Sequence, residues 1–429
     1  MTNNFDAETV RLRQALEELS ALNQISNAIN AMMSVEEITQ VIIDHCLRKV
    51  KASQGAVFLL QEEENHADRF RTFVRDFAQT DEHIPFHLNE SLTGWMLKNR
   101  AIFVSNNPSE DERLRGLRLK ELQISSILST PLLSHGGMIG SLVIINKKIS
   151  GGFTDDDRRF LGIVGTQTAK VIENARLLEK EKKLISMQRD MELAREIQQR
   201  FLPQGTLELP GCAVLGYNLP ASDVGGDFYD IIQLDGNRLF FSIGDVVGKG
   251  IPASLLMANA QAVLRSHLLK GGNYSLQQLA ERLNGLICQF TSVEQYISAV
   301  VGIYEADSGR MEYINAGHPS GFIISENGGM VRLEPSDLVI GVLPDYEFRV
   351  YETYLQPEDL LLFYSDGVTE LFNASEEQFG EERLLEILRR AWRQPLEKLS
   401  AEIIAALNLF RREHPRSDDI TLLALRRLP

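Results

Sequence analysis

Apolar positions recur along the first part of the chain at helical spacing and then at strand spacing, and the switch between the two predicts its elements. Leu12, Leu16, Leu19, Leu22, Ile25, Ile29 and Met32 return every three or four residues, which predicts a long amphipathic helix from Glu8 to Met33. Ser34 followed by Glu37 has the form of a capping box, so a second helix is expected over 35–50. Apolar segments at 55–60, 70–74, 101–104, 126–133 and 139–145 then predict strands of a mixed α/β sheet, with Gly136-Gly137 turning the last pair. A helix over 153–173 closes this unit, with Thr154 as N-cap before Asp155, Asp156 and Asp157, whose charges suit the helix dipole.

From Asn174 to Pro203 the pattern changes to a charged stretch whose apolar residues lie seven apart: Leu177, Leu184 and Met191, and beside them Met187, Ala194 and Phe201. This predicts a helix of coiled-coil type whose seam is broken by Lys180 and Gln198, best buried in a parallel dimer. Beyond Pro203-Gln204-Gly205 come short β segments and paired helices. Helices are expected over 252–269, 275–290, 381–392 and 396–412. Strands are expected over 231–234, 238–243, 296–303, 311–316, 322–325, 330–333, 359–364 and 420–425. Two sheets flanked by helices is the economical packing for that order.

Composition adds little constraint. The 429 residues argue for more than one domain, and 44% hydrophobic with 24% charged residues allows sizeable cores. A net charge of −15 without a basic stripe speaks against nucleic acid as a partner. Cys46, Cys212 and Cys288 are odd in number and scattered, as expected of reduced thiols. No apolar run approaches the roughly 18 residues of a membrane span, and the polar N-terminus is unlike a signal peptide. A cytoplasmic protein is the expectation.

The order of elements over 19–175 resembles a GAF domain. The supporting residues are the leading helices, Ser91-Leu92-Thr93-Gly94-Trp95, Thr130-Pro131-Leu132 and Ile139-Gly140. Asn146-Lys147, Phe153 and Asp157 match part of the motif of cyclic-nucleotide-binding members, but Arg158 stands at its last acidic position, so these residues are read as caps of the following helix. The resemblance implies a sensory or dimerising module, with a small-molecule or protein ligand that the sequence does not identify. The resulting division is an N-terminal helix over 1–18, a GAF-like sensor of α/β/α form over 19–175, a coiled-coil linker over 176–203 and a third domain over 204–429.

That third domain holds the chemistry. Asp235-Gly236-Asn237 between apolar runs is a hairpin signal, and the pairing would bring Asp227 beside Asp245. Carboxylates at adjacent strand ends repel unless protonated or bridged by a cation. Gly225, Gly226, Gly244 and Gly248 let backbone approach closely there. Asp366 just past one apolar strand and Asp418 just before another share this arrangement. A single strand-end aspartate is ordinarily a turn residue; several flanked by glycine in one domain point to a hard cation held by oxygen, Mg²⁺ or Mn²⁺.

Gly225-Gly226-Asp227-Phe228-Tyr229-Asp230, Gly244-Asp245-Val246-Val247-Gly248-Lys249-Gly250, Ala316-Gly317-His318-Pro319, Ser365-Asp366-Gly367 and Asp418-Asp419-Ile420-Thr421 resemble, in order, the motifs of PPM metal-dependent serine/threonine phosphatases. Together with Ala194 to Pro203 they are most similar to the bacterial SpoIIE/RsbU branch. The resemblance implies an α-β-β-α sandwich and two Mn²⁺ or Mg²⁺ ions. Asp245 would bridge the ions, the Val246 carbonyl would be a backbone ligand, Asp227 and Asp366 would each bind, and Asp418 would complete the second ion. A two-metal-activated water would attack phosphoserine or phosphothreonine directly. No arginine matches the phosphate clamp of eukaryotic relatives, His318 is read as shaping a turn, and Asp230 as anchoring one. By the same analogy the substrate is a phosphorylated anti-sigma-factor antagonist of STAS type in a partner-switching pathway, acted on by a homodimer. The alternative is a catalytically silent binding module. The loop of a diguanylate cyclase has a further acidic residue before its Phe, which is missing here between Asp227 and Phe228, and Gly248-Lys249-Gly250 lacks the rest of a P-loop.

Overall fold

The computed structural model describes residues 34–60, 70–76, 94–114, 123–135, 137–268, 275–291 and 294–429. The helix expected over 8–33, residues 91–93 and Gly136 lie outside them. The chain divides into two compact units, Met1–Ser186 and Met187–Pro429.

In the first unit, helix α1 (Val35–Val50) begins at a capping box in which the Ser34 hydroxyl accepts from the Glu37 amide and the Glu37 carboxylate accepts from the Ser34 amide. It is followed by β1 (Ala52–Leu60), β2 (Phe70–Asp76), β3 (Phe103–Ser105), β4 (Ile127–Ser134) and β5 (Gly137–Lys147). These form one sheet in the order β2-β1-β5-β4-β3, every pair antiparallel. Alternation along β1 and β5 sorts their side chains to two cores. Val57, Leu59, Leu142 and Ile144 pack with α1 and with helix α2 (Asp155–Phe201), while Ala56, Phe58, Val143 and Ile145 pack with Met96 and Phe103 on the other face. The partial nucleotide motif is structural: Asp157 caps α2 at the Thr154 amide, 2.8 Å away, and pairs with Lys147, and the Asn146 side chain ties to Ser125 and Gln123.

The expected break between a helix ending at 173 and a linker helix starting at 174 does not occur. The two are one helix of 47 residues, α2, because no glycine or proline stands between Gly165 and the helix end at Phe201.

In the second unit, β6 (Thr206–Leu209), β7 (Cys212–Leu219), β8 (Phe228–Gln233) and β9 (Arg238–Val246) precede helices α3 (Ile251–Leu268) and α4 (Leu276–Phe290). Then come β10 (Ile297–Glu305), β11 (Arg310–Ala316), β12 (Gly321–Ile324), β13 (Met330–Leu333), β14 (Tyr351–Tyr354) and β15 (Leu360–Tyr364). Helices α5 (Gly380–Ala391) and α6 (Leu396–Arg411) and strand β16 (Ile420–Arg427) complete it. One sheet runs β14-β11-β10-β9-β8 and the other β13-β12-β15-β16-β7-β6.

Their inner faces form one core, in which the Phe241 and Phe363 rings stack across the sheets at 6.1 Å. Helices α3 and α4 cover the first sheet through Met257, Leu264, Leu283 and Ile287, and α5 and α6 cover the second through Leu384, Leu388, Leu399 and Ile403. The unit is an α-β-β-α sandwich. Strands β6, β7 and β14 were not expected.

At Gly216 of β7 the backbone passes close against β8: an added Cβ would stand 1.9 Å from the Tyr229 ring. Tyr229 is fixed in turn, since its hydroxyl donates to the Pro203 carbonyl. Gly216→Ala should therefore lower the urea midpoint by about 1–3 kcal/mol of stability at unchanged slope, the range for forcing a methyl group into a packed core; an unchanged midpoint would show that the ring moves aside freely.

Candidate active site

The hairpin of β8 and β9 forms as its local sequence demands. The Asp235 carboxylate accepts from the Asn237 and Arg238 amides at 2.9 and 2.8 Å, closing the turn, and Phe228 pairs with Gly244. That register puts Asp227 opposite Asp245, close enough for the Asp245 charge to bear on the Asp227 carboxyl. Gly226 passes close to the Val246 carbonyl: a Cβ there would lie 2.8 Å from that oxygen.

Asp366 and Asp418 arrive from the other sheet. Ser365 follows β15, and its hydroxyl accepts from the Thr421 amide at 2.9 Å while its own amide donates to the Thr421 carbonyl at 3.0 Å. This cross-link holds the end of β15 against the start of β16. A Cβ on Gly367 would fall 2.0 Å from the Asp419 carbonyl, so only glycine lets the Asp366 turn lie on the Asp418-Asp419 backbone.

Asp245, Val246, Asp366 and Asp418 line one cavity of about 680 Å³, joined on its walls by Lys249, His318 and Arg332. Asp227 does not line it; opposite Asp245 and 2% exposed, it accepts from the Thr421 hydroxyl at 2.5 Å. Burial, then the Asp245 and Asp419 charges, push the Asp227 carboxyl well above the usual range. Burial followed by the Asp366 charge raises Asp245 to about 7, and burial followed by the Asp418 charge raises Asp366. Three carboxyl groups that resist ionising together call for positive charge. The protein supplies little: Lys249 lies 3.2 Å from Asp418 and is largely exposed.

All-oxygen donors, glycine clearance beside the Val246 carbonyl and unsatisfied negative charge fit Mg²⁺ or Mn²⁺. Among the described residues no three or more His, Cys, Asp or Glu side chains already converge on one point as around an ion. The carboxylates share a cavity whose residues would have to draw together around cations.

The remaining candidates separate. Asp419 does not line this cavity; its carboxylate accepts from the Ala221, Gly226 and Asp227 amides at 2.7, 2.8 and 3.3 Å and so holds the loop that carries Asp227. Asp230, read as a turn anchor, accepts from its neighbour Ile231 but chiefly grips Arg265 of α3 in a two-pronged ion pair at 2.6 and 2.9 Å. His318 does sit in a turn, with Gly317 at φ +70° and its amide donating to the Asn315 side chain at 2.9 Å. It is wholly buried beside Ser298 Oγ at 3.1 Å, and burial pushes its imidazole down to about 3, so the ring is neutral. Sequence reasoning missed the supports Ser365 and Thr421 and the cavity cations Lys249 and Arg332. It also missed Gln198, whose one signal was being a polar residue on an apolar seam.

Comparison with known proteins agrees with this geometry. Residues 235–428 match the family model for stage II sporulation protein E, and residues 32–173 match a GAF domain model. The chain is 29% identical to phosphoserine phosphatase RsbU of Bacillus subtilis over 56% of its own length and 70% of that protein. It is 28% identical to protein IcfG of Synechocystis over 56% of its own length, and the match spans 41% of IcfG. Among solved structures it is similar to the SiaA-PP2C domain of Pseudomonas aeruginosa, with TM-score 0.51 and 23% identity, covering 57% of this chain and 98% of that one.

Repulsion within the cluster sets a linkage. A carboxyl group whose folded pKa is raised favours its protonated form, so its ionisation weakens the fold as pH climbs from the ordinary carboxylate range to about 7. In chelator, Asp245→Asn should therefore be more stable than the parent by at least about 1 kcal/mol at pH 8, with the gap narrowing by pH 5. Thermal melts at the two pH values test this; a mutant less stable at pH 8 would contradict the repulsion.

Proposed function

Because the chain joins a GAF domain to a SpoIIE-type PPM phosphatase domain, we propose that it is a signal-controlled protein serine/threonine phosphatase. The observation that carries this reading is the group of Asp245, Asp366 and Asp418 at the strand ends of two packed sheets, lining one cavity, with Asp227 buried opposite Asp245 and the carboxyls of Asp227, Asp245 and Asp366 raised in pKa by burial and by neighbouring charge. Asp245, with the Val246 carbonyl, Asp227, Asp366 and Asp418, would hold two Mn²⁺ or Mg²⁺ ions. When bound, such ions supply a water of lowered pKa and positive charge against the phosphoryl oxygens.

The chain's own residues supply position. Asp227 is oriented by the Thr421 hydroxyl, and Asp366 is held by the Ser365–Thr421 cross-link. Lys249 and Arg332 place cationic groups on the cavity wall, where they attract a phosphate ester. Arg332 also pairs with Glu381 at 2.8 Å, which keeps its guanidinium on that wall. Neutral His318 lends shape to the wall.

Similarity to the phosphoserine phosphatase RsbU supports a phosphorylated regulatory protein as substrate, and we assign an anti-sigma-factor antagonist of STAS type in a partner-switching pathway. The GAF domain would receive the signal, through a small molecule or a protein. Homodimerisation through the GAF domain and the linker is part of the same reading, because α2 leaves Leu177, Leu184 and Met187 more than half exposed along one helix. Among the described residues no helix is long and apolar enough to cross a membrane.

Phosphate release from a phosphoserine protein should need Mn²⁺ or Mg²⁺ and fall at least about 100-fold in Asp245→Asn and in Asp366→Asn, as for loss of a group acting in the transition state. Unchanged turnover in either variant would remove that residue from the site. Metal binding without turnover in the parent under any condition would favour the silent binding module. Light scattering of the full chain should give a dimer, and Leu177→Lys with Leu184→Lys together a monomer; a monomeric parent would sink the linker seam.

A further inference from the structure

Gln198 is one of the two polar residues that break the apolar seam of α2, and its side chain turns away from solvent into the second unit, 9% exposed. Its amide makes two hydrogen bonds to a single residue. Nε2 donates to the Gly225 carbonyl at 2.7 Å, and Oε1 accepts from the Gly225 amide at 3.1 Å. A side-chain amide here takes the place that a neighbouring strand would have.

Gly225 begins the Gly225-Gly226-Asp227 turn. From the opposite side that turn is held by Asp419, which accepts from the Gly226 and Asp227 amides. A Cβ on Gly225 would stand 2.1 Å from the Asp419 carboxylate, so the turn is clasped between Gln198 and Asp419 with no slack. The last turn of α2 is anchored in the same region. Leu202 enters the core between the sheets, the Pro203 carbonyl accepts from Tyr229, and the Phe201 carbonyl accepts from Arg265 at 2.9 Å. Arg265 grips Asp230, three residues beyond Asp227. Displacing Gln198 would open one jaw of the clasp while these other tethers kept the unit folded.

We propose that Gln198 is a positioning residue of the active site: its amide fixes the Gly225-Gly226 turn, and through it Asp227 against Asp245, so that the setting of the last turns of α2 governs cation affinity. This rests on the metal-site reading above. Gln198 touches neither cation nor substrate; it acts on the backbone that presents Asp227. Removing such a support weakens metal binding while leaving the ligands in place.

The test uses the full chain and Mn²⁺ alone as the probe, with binding read by calorimetry. Gln198→Met keeps length and volume but cannot hold Gly225, and should bind Mn²⁺ ~10-fold or more weakly. Its kcat should return towards that of the parent at saturating Mn²⁺, the loss lying in the metal requirement. Gln199→Met, on the exposed side of the same turn, should bind as the parent does. Gln198→Glu keeps the acceptor for the Gly225 amide but loses the donor to its carbonyl, and serves if the Met variant is poorly folded; it too should bind more weakly. Melting in chelator separates the two roles: a lowered melting temperature with unchanged Mn²⁺ affinity in both variants would make Gln198 merely structural and overturn the proposal. If the parent itself binds no Mn²⁺, the metal site and this inference fail together. If the parent binds and both Gln198 variants bind equally well, only the positioning role fails.

Discussion

Carboxylates crowded together where water is excluded repel one another, and Asp227, Asp245 and Asp366 all carry the mark of it in pKa values lifted by burial and by their neighbours' charge. The rest of the second unit is arranged so that this repulsion does not push the strand ends apart. Two sheets share a core stacked through Phe241 and Phe363, helices close both outer faces, and hydrogen bonds bind the carboxylate-bearing turns to each other. Asp419 turns its own charge to use by accepting three backbone amides of the loop that carries Asp227. Ser365 and Thr421 tie the strand ends that carry Asp366 and Asp418. Stability is thereby exchanged for a place where positive charge is welcome.

What could be read from the sequence was what depended on nearby residues. The Asp235-Gly236-Asn237 turn fixes its hairpin locally, and the register then sets Asp227 opposite Asp245 without further help. The Ser34–Glu37 capping box and the Ser275 cap of α4 are local in the same sense. Two of the strands that escaped notice, β7 and β14, take their identity from distant partners or from an edge position. β7 pairs with β16 from the far end of the chain, and β14 is a short polar edge strand, Tyr351 to Tyr354, with no alternation to betray a buried face.

The same distinction separates Asp418 from Asp419. Adjacent in sequence and alike in chemistry, one lines the cavity and the other faces backbone amides, because successive residues entering a strand point opposite ways. Asp230 likewise resembles a ligand in its motif, yet its partner is Arg265, and only the packing of α3 against β8 reveals it. Position in a motif says that a carboxylate belongs near the site; which way it faces is a tertiary property.

The seam of α2 shows how two demands can be written on one helix. Leu193, Ile197 and Phe201 follow one another at four-residue spacing and stay exposed, while Gln198, next to Ile197, is buried against Gly225. Neighbouring positions on a helix lie about 100° apart, so an outward apolar stripe and an inward polar grip fit the same turn without conflict. A helix held in this way cannot rotate about its axis without either withdrawing the Gln198 amide or carrying the Gly225 turn with it. Whatever packs on the outward stripe therefore acts on a rod whose other side holds the loop of Asp227. The polar interruption that weakens the seam as a coiled coil is what joins the helix to the carboxylate cluster.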